Sequence, residues 1–158
     1  MPRTGQWDYY VHTSLSREIK YALYPLLRKE LDGKSEVEAV NFLLHFIQDG
    51  FEYQTDGEQF GYERPLFGDE TFFYPYTDCE DRAILLSILS ADLLGLEAVL
   101  VEYDNHLSTA NRFNGEVSGA YFQLDDGKYF CCDPTYIGAG VGESMPGYAE
   151  KSAKIIRL

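Results

Sequence analysis

The sequence predicts an α+β domain with its helices first and an antiparallel sheet after them. Three observations predict it. Apolar residues recur at helical spacing in two segments before residue 50. A third helical run opens on Cys79 among acidic residues. Beyond it, Asp125-Asp126-Gly127 forms a strong hairpin turn between two strand-like runs. Helices followed by strands, without βαβ alternation, indicate α+β. A chain of 158 residues is expected to form one domain, 1–158, with a core large enough to fold alone.

Residues 1–13 lack periodicity and read as an extended lead-in. A first helix is expected from near Ser14, with Leu15, Ile19, Leu23, Leu26 and Leu27 at helical spacing. Pro25 should kink or split it, and Gly33 stops it. Ser35, with Glu38 three residues on, caps a second helix whose apolar stripe is Val37, Val40, Leu44 and Ile47. Residues 50–78 show no regular pattern but are dense in aromatics, which argues against disorder. They are expected to form an ordered wall beside a site. A central, buried helix follows from Cys79 to Leu94, ended by Gly95. Strands are expected over Glu97–Tyr103, Val117–Leu124 and Lys128–Asp133. A Gly-rich loop covers 137–150, and a last short strand lies within Ala153–Leu158.

The net charge of −13, from 26 acidic and 13 basic residues, repels nucleic acid and anionic membranes, and no basic stripe offsets it. No apolar run reaches the roughly 20 residues of a membrane span. The start carries no targeting signal, so export to the periplasm or beyond is expected only if a leader has been removed. Three cysteines, two of them adjacent, exclude a disulfide scaffold. No short Cys or His pair has metal-ligand spacing, so neither metal nor cofactor is expected.

Three segments carry the chemistry. Tyr76-Thr77-Asp78-Cys79-Glu80-Asp81-Arg82-Ala83 supplies a thiol, Asn105-His106-Leu107 an imidazole, and Cys131-Cys132-Asp133-Pro134-Thr135-Tyr136 a carboxylate. A thiol nucleophile needs a base, and the base needs a third group to fix its tautomer. Asp78 is placed as N-cap with Asp81 closing a capping box, which puts Cys79 in a first turn whose N–H groups favour a thiolate and can serve an oxyanion. Three flanking carboxylates oppose ionisation of the thiol and are expected to hold the turn in water, so an imidazolium from His106 is required. His45, on the second helix, is the competing imidazole. By strand alternation Cys131 shares a face with Asp133, while Cys132 points to the core.

Together with Phe51-x-Tyr53, Leu94-Gly95-Leu96 and Asp133-Pro134-Thr135-Tyr136, these segments make the chain resemble the bacterial branch of the transglutaminase-like superfamily, relatives of papain-fold cysteine proteases. The match spans roughly residues 35–147. The resemblance implies a papain-like, transglutaminase-core fold with the nucleophile at the start of a central helix. It implies Cys79 as nucleophile, His106 as general base and acid, and Asp133 as the group orienting His106. Substrates would be peptides or proteins, attacked at an amide through a thioester. The chain departs from the pattern in lacking Gly before the nucleophile, Trp after it, and Trp after the His. A Tyr hydroxyl, from Tyr53, Tyr74 or Tyr76, is expected to replace the missing oxyanion donor. Without Trp walls, hydrolysis is expected to prevail over amine transfer. The alternative is a catalytically silent domain that binds a peptide or partner within a larger exported protein. The oligomeric state is not encoded in any feature of the chain.

Overall fold

The computed structural model describes residues 6–158; the first five residues of the expected lead-in lie outside the described residues. The rest of that lead-in is not extended. Helix α1, Trp7–Val11, packs on the central helix. Its Trp7 is wholly buried in the main core, with the indole Nε1–H donating to Glu102 at 3.3 Å. One turn of helix is too short to show periodicity, and tertiary burial fixes it.

Helix α2, Arg17–Leu31, is capped by Ser16, whose side chain accepts from the Ile19 N–H. Pro25 lies inside it, so of the kink or split expected there the split does not occur. Pro25 removes the N–H that would reach the Tyr21 carbonyl. Both residues are on the exposed side, where a carbonyl without an intrahelical partner costs little because it faces solvent. Helix α3, Glu36–Gly50, begins at Ser35 as expected and buries Val40, Leu43, Leu44 and Ile47.

The aromatic segment is more regular than its sequence implies. It contains β1 (Glu52–Tyr53), α4 (Asp56–Phe60), α5 (Gly68–Phe73) and β2 (Tyr76–Thr77), and β1 pairs in parallel with β2. A full capping box, Thr55 with Glu58, starts α4. The central helix α6, Cys79–Leu89, is buried at every position. A π-helical turn, Ser90–Leu94, continues it, and Gly95 at φ 64° closes it, a conformation that favours glycine.

Five antiparallel strands follow: β3 (Ala98–Tyr103), β4 (His106–Arg112), β5 (Tyr121–Leu124), β6 (Gly127–Cys132) and β7 (Lys154–Arg157), in the order β5-β6-β4-β3-β7. The molecule is thus α+β. Strand β4 is the one that sequence periodicity does not reveal; it is the middle strand, and α6 packs on it. Strand β5 starts at Tyr121 rather than near Val117, and β6 stops at Cys132, one residue before Asp133. Leu100, Leu107 and Cys132 face the helices, while Val99, Val101, Tyr103, Ala110 and Tyr129 form a second apolar layer. Cys132 therefore occupies the core as alternation requires. No helix among the described residues is long and apolar enough to cross a membrane.

Candidate active site

Each of the three expected residues sits at the end of a core element. A two-residue turn, Asp104-Asn105, joins β3 to β4 and places His106 opposite Tyr103 as the first residue of β4. Asp133 follows β6 immediately. Its Oδ1 accepts from the main-chain N–H groups of Thr135 at 2.9 Å and Tyr136 at 3.4 Å, so the Asp-Pro-Thr turn pins the carboxylate. Its Oδ2 lies 2.8 Å from His106 Nε2, with both residues buried. With Nε2–H donating to the carboxylate, Nδ1 is left to accept a proton. The rings of Tyr103 and Tyr148 flank the imidazole at 6.2 and 5.1 Å.

Cys79 is the first residue of α6 and is 8% exposed. The main-chain N–H of Leu107, next to His106, donates to its sulfur. The thiol is thus tethered to the start of β4, while Asp133 is close enough to act on its ionisation. Burial pushes that thiol up to about 12, with Asp78, Glu80 and Asp133 adding to the rise and the Leu107 hydrogen bond opposing it. A resting thiolate is therefore disfavoured, and a partner must take the proton for Cys79 to react.

The acid flank departs from expectation in two ways. It is not hydrated: Asp78, Glu80 and Asp81 are 7%, 2% and 0% exposed. The capping box explains how Asp78 and Asp81 tolerate this. Asp78 Oδ1 accepts from the Glu80 and Asp81 N–H groups at 3.0 and 3.3 Å, and Asp81 Oδ2 accepts from the Asp78 N–H at 3.0 Å. Asp81 Oδ1 also accepts from Leu66 at 2.8 Å, fastening the aromatic wall to the helix. Second, these bonds engage the N–H groups of Glu80 and Asp81, two of the donors expected to serve an oxyanion.

Of the three tyrosines, Tyr53 is the one coupled to the thiol. Burial, then Cys79 and Asp78, push its hydroxyl up to about 12. It remains a protonated donor at neutral pH, half exposed at 51%, with the Arg82 guanidinium 5.6 Å from its ring. Tyr74 belongs to a different cluster, edge-on to Phe60 at 5.1 Å and beneath Arg64 at 4.9 Å. Tyr76 lies on β2 opposite Glu52, its main chain bracketed by the Gln59 side chain. The competing His45 is exposed; its Nδ1 lies 3.2 Å from Gln48 Oε1. Cys131 is 7% exposed and accepts from the Ser144 hydroxyl at 3.5 Å; burial raises its thiol also.

Two supporting residues escape sequence reasoning. Arg82, 1% exposed, donates from Nε to Thr77 Oγ1 at 3.0 Å, and from its terminal nitrogens to the Phe51 carbonyl at 2.6 Å and the Pro134 carbonyl at 3.4 Å. It ties the β1–β2 ladder, the helix and the Asp133 turn together. Gln48 on α3, 2% exposed, donates to the Asp133 and Ala139 carbonyls, each at 3.0 Å, and accepts from the Gly138 N–H at 3.1 Å. Neither leaves a local signal: Arg82 follows the acidic residues Glu80 and Asp81, and Gln48 precedes Asp49 at the end of α3, so both read as ordinary surface positions. Gln48→Leu should lower unfolding free energy by about 2–4 kcal/mol, because it leaves buried main-chain groups without partners. Urea denaturation measures this, and a loss below about 0.5 kcal/mol would show that water replaces the amide.

Comparisons of the chain with family models, with curated proteins and with solved structures return no match.

Proposed function

We propose that this domain is a cysteine-dependent acyl-transfer enzyme of the transglutaminase-like, papain-related type, acting on amide bonds of peptides or proteins. The observation that carries the reading is the buried 2.8 Å His106–Asp133 pair beside a helix-start cysteine held by the N–H of Leu107. A thiol at that position has a base nearby whose tautomer is fixed, as nucleophilic catalysis requires.

In the proposed cycle His106 Nδ1 takes the Cys79 proton as sulfur attacks the amide carbon. Asp133 holds the ring and offsets its charge. The tetrahedral oxyanion is met by the Tyr53 hydroxyl. The imidazolium then protonates the leaving amine, and a thioester remains on Cys79. Water, deprotonated by His106, releases the acid. Hydrolysis is favoured over amine transfer because the half-exposed Tyr53 leaves water a route and the chain's single Trp is Trp7, buried in the core.

Incubation with Gln- and Asn-containing peptides, with and without a labelled primary amine, tests this. Ammonia or peptide fragments should appear, vanish in Cys79→Ala, and exceed amine incorporation. Amine incorporation that depends on Cys79 and outpaces hydrolysis would reverse the acceptor assignment. The second reading, a silent peptide-binding module, is favoured by one observation: the thiol is buried and raised to about 12. A Cys79 that resists alkylation while the protein still binds peptides would establish it.

A further inference from the structure

Helix α2 turns one face to solvent that neither the core nor the candidate site uses. Arg17, Lys20, Tyr21, Tyr24, Pro25 and Arg28 recur there at spacings of three and four and line an open groove of about 630 Å³. Tyr24 is the buried floor, its hydroxyl donating to Asp92, while Tyr21 is 85% exposed. In the sequence Glu18 and Glu30 interrupt these cations, so no basic stripe is visible. The helix gathers three of them on one side, and no acidic residue lines the groove.

Two observations mark this face as unpartnered. The first is charge. Acidic residues outnumber basic ones 26 to 13, and the arginines elsewhere are taken up by them or by main-chain oxygens. Arg64 pairs with Glu70, Arg112 with Glu97 and Asp126, and Arg157 with Asp125 and Asp126. Arg82 bonds three oxygens in the interior. Among the described residues, Arg17 and Arg28 are the arginines with no ion pair; Arg28 rests 5.9 Å from the Tyr24 ring. Lys20 reaches Asp92 at 3.8 Å. The second is Pro25. Proline inside a helix costs about 3 kcal/mol, and here its ring is exposed, so the core gains nothing from it. It also leaves the Tyr21 carbonyl without an intrahelical donor on the same exposed side. A main-chain N–H of a bound segment can supply that donor.

We propose that this face of α2 docks a short acidic segment of a partner protein, one whose carboxylates flank an apolar side chain. Charge complementarity selects the occupant. The apolar residue lies against Tyr21 and Pro25, and the carboxylates meet Arg17 with Lys20 at one end and Arg28 at the other. Arg17 and Arg28 stand eleven positions apart on α2. That is about 16 Å along the axis, the reach of about five residues of extended chain. Tyrosine and arginine are the side chains that dominate interface energetics. A second copy meeting this face by two-fold symmetry sets cations against cations. Nucleic acid or an anionic membrane extends beyond the stripe and meets the net charge of −13, which repels it; a short peptide touches the stripe alone. The inference does not rest on the acyl-transfer reading, since the groove shares no residue with the Cys79 site.

The probe is the capped hexapeptide Asp-Glu-Leu-Phe-Glu-Asp, titrated into the isotopically labelled full chain and followed by amide NMR shifts. Shifts should concentrate on residues 15–28. The Kd should rise about tenfold or more in the double variant Arg17→Gln/Arg28→Gln, for the Asn/Gln version of the peptide, and on raising salt from about 25 to about 300 mM. Tyr21→Ser should raise it about fivefold. The three substituted positions are exposed, so these variants should keep the wild-type melting temperature. Lys128→Gln, a cation on β6, and Cys79→Ala, which removes the proposed nucleophile, should bind the peptide as the wild type does. Shifts centred elsewhere, equal affinity for the amide peptide, or full binding retained in the double variant would overturn the proposal. So would a wild-type dimer that Arg17→Gln/Arg28→Gln disperses, or tighter binding to phosphatidylserine vesicles or a single-stranded oligonucleotide than to the peptide, since each gives the face a different occupant.

Discussion

His106→Ala is expected to slow alkylation of Cys79 by iodoacetamide at neutral pH by about 100-fold or more, while Cys131 and Cys132 keep their low rates. General-base assistance is worth on the order of 10²–10⁴, and this thiol depends on it more than most. Burial and three carboxylates hold it up at about 12, so the helix terminus alone does not generate a thiolate. The Leu107 hydrogen bond lowers it, and that bond survives in the variant because it comes from the main chain. The control is Asp133→Asn, which keeps the shape of the turn but removes the charge that accepts from Nε2–H. It should cost less than loss of the ring, roughly tenfold, through loss of the tautomer and of the charge that stabilises the imidazolium. Mass spectrometry of tryptic peptides separates the three thiols: Cys131 and Cys132 are 7% and 0% exposed, and Cys79 is 8%. Exposure therefore cannot explain a large rate difference between Cys79 and Cys131. Equal labelling of Cys79 in wild type and His106→Ala would remove the base from the scheme.

The order thiol, imidazole, carboxylate was legible because each residue sits beside a local mark: an N-cap box at Asp78–Asp81, the end of an apolar strand at Tyr103 before His106, and Pro134 after Asp133. Strand β4 was not legible. Its residues His106–Arg112 are buried except for the last, so the alternation that marks a strand with one solvated face is absent. Its small polar residues are accommodated by partners instead, as when the Thr109 hydroxyl donates to the Cys132 carbonyl at 2.6 Å. Without β4, His106 was read only as lying past the end of a strand; in the structure it opens β4, the middle strand of the sheet. The wall between residues 50 and 78 failed for another reason. Its helices are five and six residues long, shorter than two turns, so capping chemistry at Thr55–Glu58 was the one usable sign. The acid flank was misjudged because hydration was inferred from charge alone. Mutual capping and the long-range bond from Leu66 hold the Asp78 and Asp81 carboxylates inside. Contacts of that kind, like those of Gln48 and Arg82, join residues far apart in the chain and leave no local pattern.

Arg82→Met should be the most damaging single change outside the three candidate catalytic residues, lowering unfolding free energy by about 3–5 kcal/mol. Methionine keeps much of the aliphatic stem and so limits the cavity. What it removes is the donor set. Thr77 Oγ1 and the Phe51 and Pro134 carbonyls lose a charged partner together, and an orphaned buried group costs about 1–3 kcal/mol. Desolvation of the guanidinium offsets part of this in the wild type, since burial pulls Arg82 down from its usual range while Tyr53, Asp78, Asp81 and Asp133 hold it up. Those carboxylates would lose a nearby positive charge in the variant, which adds to the loss rather than relieving it. Arg82→Lys tests geometry separately from charge. A single ammonium cannot span β2, β1 and the Asp133 turn at once, so it should recover less than half the deficit. Both variants that remain folded should also alkylate more slowly at Cys79, because the Pro134 contact steadies the turn carrying Asp133 and the ring of Tyr53 rests by the guanidinium. Urea denaturation at constant m-value gives the stability change. A variant within about 1 kcal/mol of wild type would show that β1, β2 and the Asp133 turn are held by packing alone, and that the polar lattice beneath the site is incidental.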